Sequence, residues 1–161
     1  MGLPNSSGSG GGGPTVVTTG PAAAGEGPVR LTMASDMAAV RGVQDRIMAE
    51  VVRHGFDVHS QFAIKLALEE GLVNAIRHGN KFDVRKRVFV EYLVTPRELD
   101  VSIEDEGPGF ERAGVPDPTL EENIEKCSGR GILLIESYMT SVGWSRGGRR
   151  MRMVKRNEPT A

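Results

Sequence analysis

From residue 29 onward, apolar and polar positions repeat with two different periods, and the switches between them mark out the elements. Val29, Leu31 and Met33 fall two apart and predict a short edge strand over 29–33. Val40, Val43, Ile47 and Val51 recur every three or four residues, which predicts a helix. Ser35 or Asp36 would cap it, and Gly55 would end it after about His54. A second helix, capped by Asp57, should reach about His78 and close on Gly79 in the left-handed position that follows a helix. Phe62, Leu66, Val73 and Ile76 are its expected core stripe. Val88, Val90, Tyr92 and Val94 alternate with Phe89, Glu91, Leu93 and Thr95, and Leu99, Val101 and Ile103 alternate with polar residues after a turn at Pro96-Arg97-Glu98. So short a connection requires that these two strands pair antiparallel. Residues 111–128 are polar, carry Pro116 and Pro118, and predict a long connection of the kind that often acts as a lid. A third helix is expected from Gly131 to about Thr140, then strands over 142–145 and 149–155 around Gly147-Gly148. The sum is an α/β (α+β) two-layer sandwich, with helices on one face of a mostly antiparallel mixed sheet.

Composition changes this picture at one end only. The first 28 residues hold nine of the 21 glycines, four of the nine prolines and a single charge, Glu26. Such a stretch buries too little apolar surface to offset its ordering entropy, so residues 1–28 are expected to be a flexible tail and residues 29–157 one domain. Hydrophobic content of 39% and charged content of 25% are ordinary for a globular protein. A formal net charge of −1 favours neither nucleic acid nor membrane, and no apolar run approaches the ~20 residues that span a bilayer. The single cysteine, Cys127, excludes an internal disulfide and a cysteine-cluster metal site.

Three short segments carry candidate chemistry. On the second helix Ala63, Ala67, Glu70, Asn74 and His78 share one face, which puts a carboxylate one turn from an amide. Asn74 offers a neutral oxygen suited to Mg²⁺, and Glu70 can accept a proton from a group attacking a phosphate. His78, near the helix C-terminus, suits the helix dipole rather than catalysis. Asp105 ends the Leu99–Ile103 strand and precedes Gly107, Gly109 and Phe110; an acceptor-only carboxylate suits the exocyclic amine of adenine. Gly129-Arg130-Gly131-Ile132 opens the third helix, where free backbone N–H groups bind phosphate. Each segment also has a plain reading: a polar helix face, a strand-ending turn, a helix start. No Walker loop or complete dinucleotide fingerprint is present.

Taken together and in this order, the segments resemble the GHKL (Bergerat-fold) ATP-binding family. Glu70-x-x-x-Asn74 resembles its N box, Asp105-x-Gly107-x-Gly109-Phe110 its G1 box, and Gly129-x-Gly131 its G2 box. The runs from Asn74 to Asn80 and from Gly129 to Met139, with Pro116-Asp-Pro118 between, are similar to the anti-sigma-factor serine kinases of that family. The resemblance implies an ATP site with Mg²⁺, in which Glu70 is the general base and Asn74 holds the metal. Asp105 would then read adenine, while Gly107, Gly109, Phe110, Gly129, Arg130, Gly131 and Ile132 wall the nucleotide. It further implies transfer of the γ-phosphate to a serine of a STAS-type anti-anti-sigma protein, sequestration of a sigma factor, a homodimer and a cytoplasmic location. Members usually carry Thr after the Gly that begins the last strand; here Gly148 is followed by Arg149 and Arg150. Two rival readings share the same site: a nucleotide-dependent partner-switching module without kinase activity, and a detached histidine-kinase catalytic domain. The second would need a phospho-accepting histidine helix, which nothing here resembles. The basic C-terminal strand lacks interleaved aromatics and reads as a solvated sheet face or an acidic partner's surface, with Arg150 and Arg152 opposite Met151 and Met153.

Overall fold

A computed structural model of the chain describes residues 16–19, 27–109 and 129–158, and the expected lid over 111–128, with Phe110 and Cys127, lies outside them. Among the described residues six strands form one sheet: β1 (Val16–Thr19), β2 (Val29–Ala34), β3 (Arg87–Val94), β4 (Glu98–Asp105), β5 (Ser141–Ser145) and β6 (Arg150–Arg156). Their order is β1-β2-β3-β4-β6-β5, and every pairing is antiparallel, so the sheet is not mixed. The helices α1 (Met37–Arg53), α2 (Val58–Asn74) and α3 (Gly129–Tyr138) complete the expected α+β two-layer arrangement.

Alternation decides which sheet face they cover. Leu31, Met33, Val88, Val90, Tyr92, Val94, Leu99, Val101, Ile103, Met151 and Met153 are buried and share one core with the helices. The other face carries ion pairs, Arg30 with Glu91, Arg152 with Asp100 and Arg146 with Glu104. Arg150 and Arg152 do lie opposite the buried Met151 and Met153.

The first helix follows its pattern. Asp36 caps it by accepting the Ala38 N–H at 2.9 Å, and Val40, Val43, Ile47 and Val51 are all buried. Ser35 is not the cap; it is buried and donates to the Lys86 carbonyl at 2.8 Å. Residues 29–33 are not an edge strand, because β1 pairs outside them. The Val16-Val17-Thr18-Thr19 run is the β-branched exception within the Gly/Pro-rich stretch, and β2 gives it an edge to pair with.

Two expectations for the second helix fail. Asp57 caps α2 as expected, accepting the Ser60 N–H at 2.6 Å. The core stripe, however, is Ile64, Leu68, Leu72 and Ile76 with Ala63 and Ala67, whereas Phe62 is 60% exposed and Leu66 and Val73 are half-buried. Apolar residues occur nearly all round α2 because it packs on α1, α3 and the sheet, so periodicity does not select a face. Gln44 of α1 ties it by donating to the Lys65 carbonyl at 2.8 Å. Gly71 lets α2 lie close on the sheet: a Cβ there would meet Met151 Cε at 2.8 Å and Ile103 Cδ1 at 2.9 Å. Nor is Gly79 a left-handed cap. The helix widens into a π turn over Ala75–Gly79, and the left-handed residues are Lys81 (φ 50°) and Phe82 (φ 58°).

The α2 phase has a direct test. Leu68→Ala should cost about 2–5 kcal/mol by urea unfolding, through the cavity left in the core. Phe62→Ala should cost about 1 kcal/mol, since its ring meets Tyr138 edge-on at 6.4 Å but is otherwise largely in water.

Candidate nucleotide site

The end of α2, the end of β4 and the start of α3 meet at one place. Gly79, at the end of the π turn, lies so close to Asp105 that a side chain at 79 would run into its carboxylate. A side chain on Gly107 would in turn run into the Gly79 carbonyl. Earlier along α2, the Glu70 carboxylate lies against Gly131, where a Cβ would be 2.8 Å from Glu70 Oε2. Contact rather than backbone angle thus calls for glycine at 107, against the Gly79 carbonyl, and at 79, against Asp105, whereas at 131 the end of the Glu70 side chain would shift.

The expected site residues are accordingly brought into one neighbourhood. Glu70 and Asn74, both half-buried, are one turn apart on α2. Asp105 is the last residue of β4, with Gly107 and Gly109 next in the chain. Gly129, Arg130 and Gly131 form the first turn of α3, two residues earlier than expected, and the Ile132 side chain is buried. Phe110 lies outside the described residues, as do the side-chain surroundings of Arg130.

Asp105 is the electrically tuned group. Burial pushes its carboxyl above the usual carboxylate range, while the Gly107 N–H, donating to Asp105 Oδ1 at 2.8 Å, and the nearby Arg149 charge pull the other way. Desolvation, then the Arg77 charge, hold the His78 pKa below the usual imidazole value, which weakens a charged pairing with the helix dipole.

The residue that assembles the base end was not apparent in the pattern. Asn80 is 1% exposed, and its side chain uses both kinds of atom. Its amide nitrogen donates to Ser35 Oγ at 2.7 Å and to the Arg87 carbonyl at 2.9 Å, and its oxygen accepts the Glu106 N–H at 2.8 Å. The Glu106 carboxylate accepts the Arg87 N–H at 2.7 Å. One buried amide thus fixes the helix exit to β2, β3 and the residue next to Asp105. The signal available was only that a small polar residue follows Gly79 at a helix exit.

An acceptor carboxylate at a strand end, glycine crossings and a carboxylate beside a helix N-terminus thus lie along the C-terminal half of α2. A family model described as "Histidine kinase-like ATPase domain" matches residues 33–155, which span all three segments. The chain belongs to this family. Membership makes it an ATP-binding domain of GHKL type, and Asp105 offers the acceptor that an adenine amine would need. As a histidine kinase-like ATPase domain it is similar to an anti-sigma F factor of Clostridium perfringens, 35% identical over 82 residues, or 49% of this chain and 58% of that protein. It is also similar to the serine-protein kinase RsbW of Listeria monocytogenes, 28% identical over 96 residues, 56% of this chain and 61% of the relative. An anti-sigma F factor of Oceanobacillus iheyensis is 33% identical over 82 residues, 49% of this chain and 56% of its own length. The chain thus spans a little over half of each of these relatives. Among the described residues no helix is long and apolar enough to cross a membrane.

Two measurements bear on this geometry. Asn80→Ala takes the side-chain partner from the Arg87 carbonyl and the Glu106 N–H and leaves the Ser35 hydroxyl only its bond to Lys86, and should lower unfolding free energy by about 2–3 kcal/mol in a denaturant titration. Asp105 bears on pH. Its folded pKa lies above the unfolded one, so the native state holds more protons across that window and stability falls as pH rises through it. Without nucleotide, Asp105→Asn should therefore melt at least as high as the parent at pH 7, and its advantage should shrink as pH falls below the carboxylate range. A variant that melts lower at pH 7 would contradict the burial cost.

Proposed function

We propose that this protein is an ATP-dependent protein-serine kinase that phosphorylates a STAS-type anti-anti-sigma protein and sequesters a sigma factor. The observation that carries the kinase reading is the Glu70 carboxylate resting against Gly131 at the start of α3. A helix N-terminus presents free N–H groups to phosphate, and here a proton acceptor sits directly beside them. The sigma factor, the STAS protein, the homodimer and the cytoplasmic location rest on likeness to proteins named anti-sigma F factor and serine-protein kinase RsbW.

In this reading Asp105 accepts from the adenine amine and anchors the base. The first turn of α3 holds the phosphates on its backbone N–H groups, with Arg130 adding charge. Glu70 then takes the proton of the serine hydroxyl as its oxygen bonds to the γ-phosphorus. The bond from that phosphorus to the bridging oxygen breaks, and ADP leaves with the electron pair. Asn74 is the residue that would face Mg²⁺ through its neutral oxygen. When bound, Mg²⁺ supplies charge neutralisation on the phosphates.

The experiment is incubation with γ-labelled ATP, Mg²⁺ and small STAS-domain proteins of the same genome. Acid-stable label on a serine is expected. Glu70→Ala should bind ATP as the parent does and lose transfer by a factor of about 10² or more. ATP-dependent partner binding with no phosphoserine would instead favour the partner-switching module, and acid-labile phosphate a histidine kinase.

A further inference from the structure

The cleft at the end of β4 has a volume of about 490 Å³ and is lined by Phe89, Glu104, Asp105, Glu106, Arg146 and Arg149. Most of its charges are already engaged. Arg146 holds both Glu104 oxygens at 2.9 Å, and Glu106 accepts the Arg87 N–H. Asp105 and Arg149 are each bonded to backbone alone among the described residues, Asp105 Oδ1 by the Gly107 N–H, and the main chain sets the two side by side: the Asp105 N–H donates to the Arg149 carbonyl at 3.0 Å.

The Arg149 side chain is steered as well as placed. Its Nε donates to the Arg146 carbonyl at 3.1 Å. Gly109 lies against its stem, since a Cβ there would come within 3.2 Å of Arg149 Cγ. The terminal amino groups of Arg149 make no other hydrogen bond or ion pair among the described residues, and the side chain is exposed. The cleft is therefore lined by an acceptor and a charged donor from paired backbone positions, close enough for the Arg149 charge to act on the Asp105 carboxyl.

Adenine presents the complement on one edge, its 6-amino donor adjacent to the N1 acceptor. We propose that Arg149 is a base-specificity residue, donating to adenine N1 while Asp105 accepts from the 6-amino group. This inference rests on the ATP-site reading above. Hypoxanthine reverses both atoms, setting an oxo group against the carboxylate and an N–H against the guanidinium. A site built from buried or charged hydrogen-bonding groups rejects a ligand that leaves them unpaired far more strongly than an apolar pocket does.

The test is equilibrium binding, read by calorimetry, of ATP, ITP and 1-deaza-ATP, which carries C–H in place of N1. The parent protein should bind 1-deaza-ATP about 10- to 100-fold more weakly than ATP, the range of one charge-assisted hydrogen bond. Arg149→Ala should bind ATP about that much more weakly and should no longer distinguish ATP from 1-deaza-ATP. Arg149→Lys, which keeps a donor on a different stem, should fall between. Rejection of ITP should weaken in Arg149→Ala and persist in part, because Asp105 still opposes the oxo group. Equal binding of ATP and 1-deaza-ATP by the parent, or full discrimination by Arg149→Ala, would overturn the proposal and leave the ATP site intact. A parent that binds none of the three would overturn both.

Discussion

The structure depends on how closely the C-terminal half of α2 approaches the end of β4. Gly71 brings the helix down onto Ile103 and Met151, and Gly79 lets the following turn reach the Asp105 carboxylate. Contact at that range leaves backbone groups at the helix exit without water, and they need partners. Asn80 supplies them through its three hydrogen bonds, to Ser35, Arg87 and Glu106. The chain then leaves through two consecutive left-handed residues, Lys81 and Phe82. Non-glycine residues hold that conformation only where the surroundings fix it, and the Asn80 bonds on one side and the Phe82 N–H to the Ile76 carbonyl on the other do so.

The same closeness sets the electrostatics. Bringing Gly79 against Asp105 removes water from the carboxylate and raises its pKa. A protonated carboxyl would be a poor acceptor for an amine. The Gly107 N–H and the Arg149 charge oppose the desolvation and favour the anion that an amine needs as its acceptor. Perturbed acids of this kind cluster at functional sites because the function needs what stability does not.

What was legible in the sequence follows from how many sides an element buries. α1 has one wet face, so Val40, Val43, Ile47 and Val51 announce its buried stripe and Asp36 its start. α2 is enclosed by α1, α3 and the sheet, so a stripe through Phe62, Leu66 and Val73 looked as good as the true one through Ile64, Leu68 and Leu72. β1 was hidden because four β-branched residues have no strand character without the β2 edge to template them. Glu70, Asn74 and Asp105 were readable as candidates because their pattern is local: a spacing on a helix, an acid at a strand end. Asn80 was not, because its role lies in partners 7, 26 and 45 residues away.

On the proposed nucleotide reading, the base end and the phosphate end of the site are held by different forces, and this bears on how each can work. The base end is fixed by backbone and amide hydrogen bonds: Asp105 N–H to Arg149, Gly107 N–H to Asp105, Glu106 N–H to Asn80. Such bonds tolerate little displacement, which suits reading the edge of a base. At the phosphate end the fastening is at the far side of the helix. Ile135 and Met139 of the α3 region sit in the core, and Thr140 donates its N–H to the Val154 carbonyl and accepts the Arg156 N–H on its hydroxyl. The first turn of α3, which would meet the phosphates, is located by the helix axis and by the Glu70–Gly131 contact. Side-chain packing is non-directional and adjusts over fractions of an ångström where a hydrogen bond does not. A rigid base end and a phosphate end carried on a packed helix are what a site needs if it must hold one nucleotide firmly while its outermost phosphate changes bonding partner.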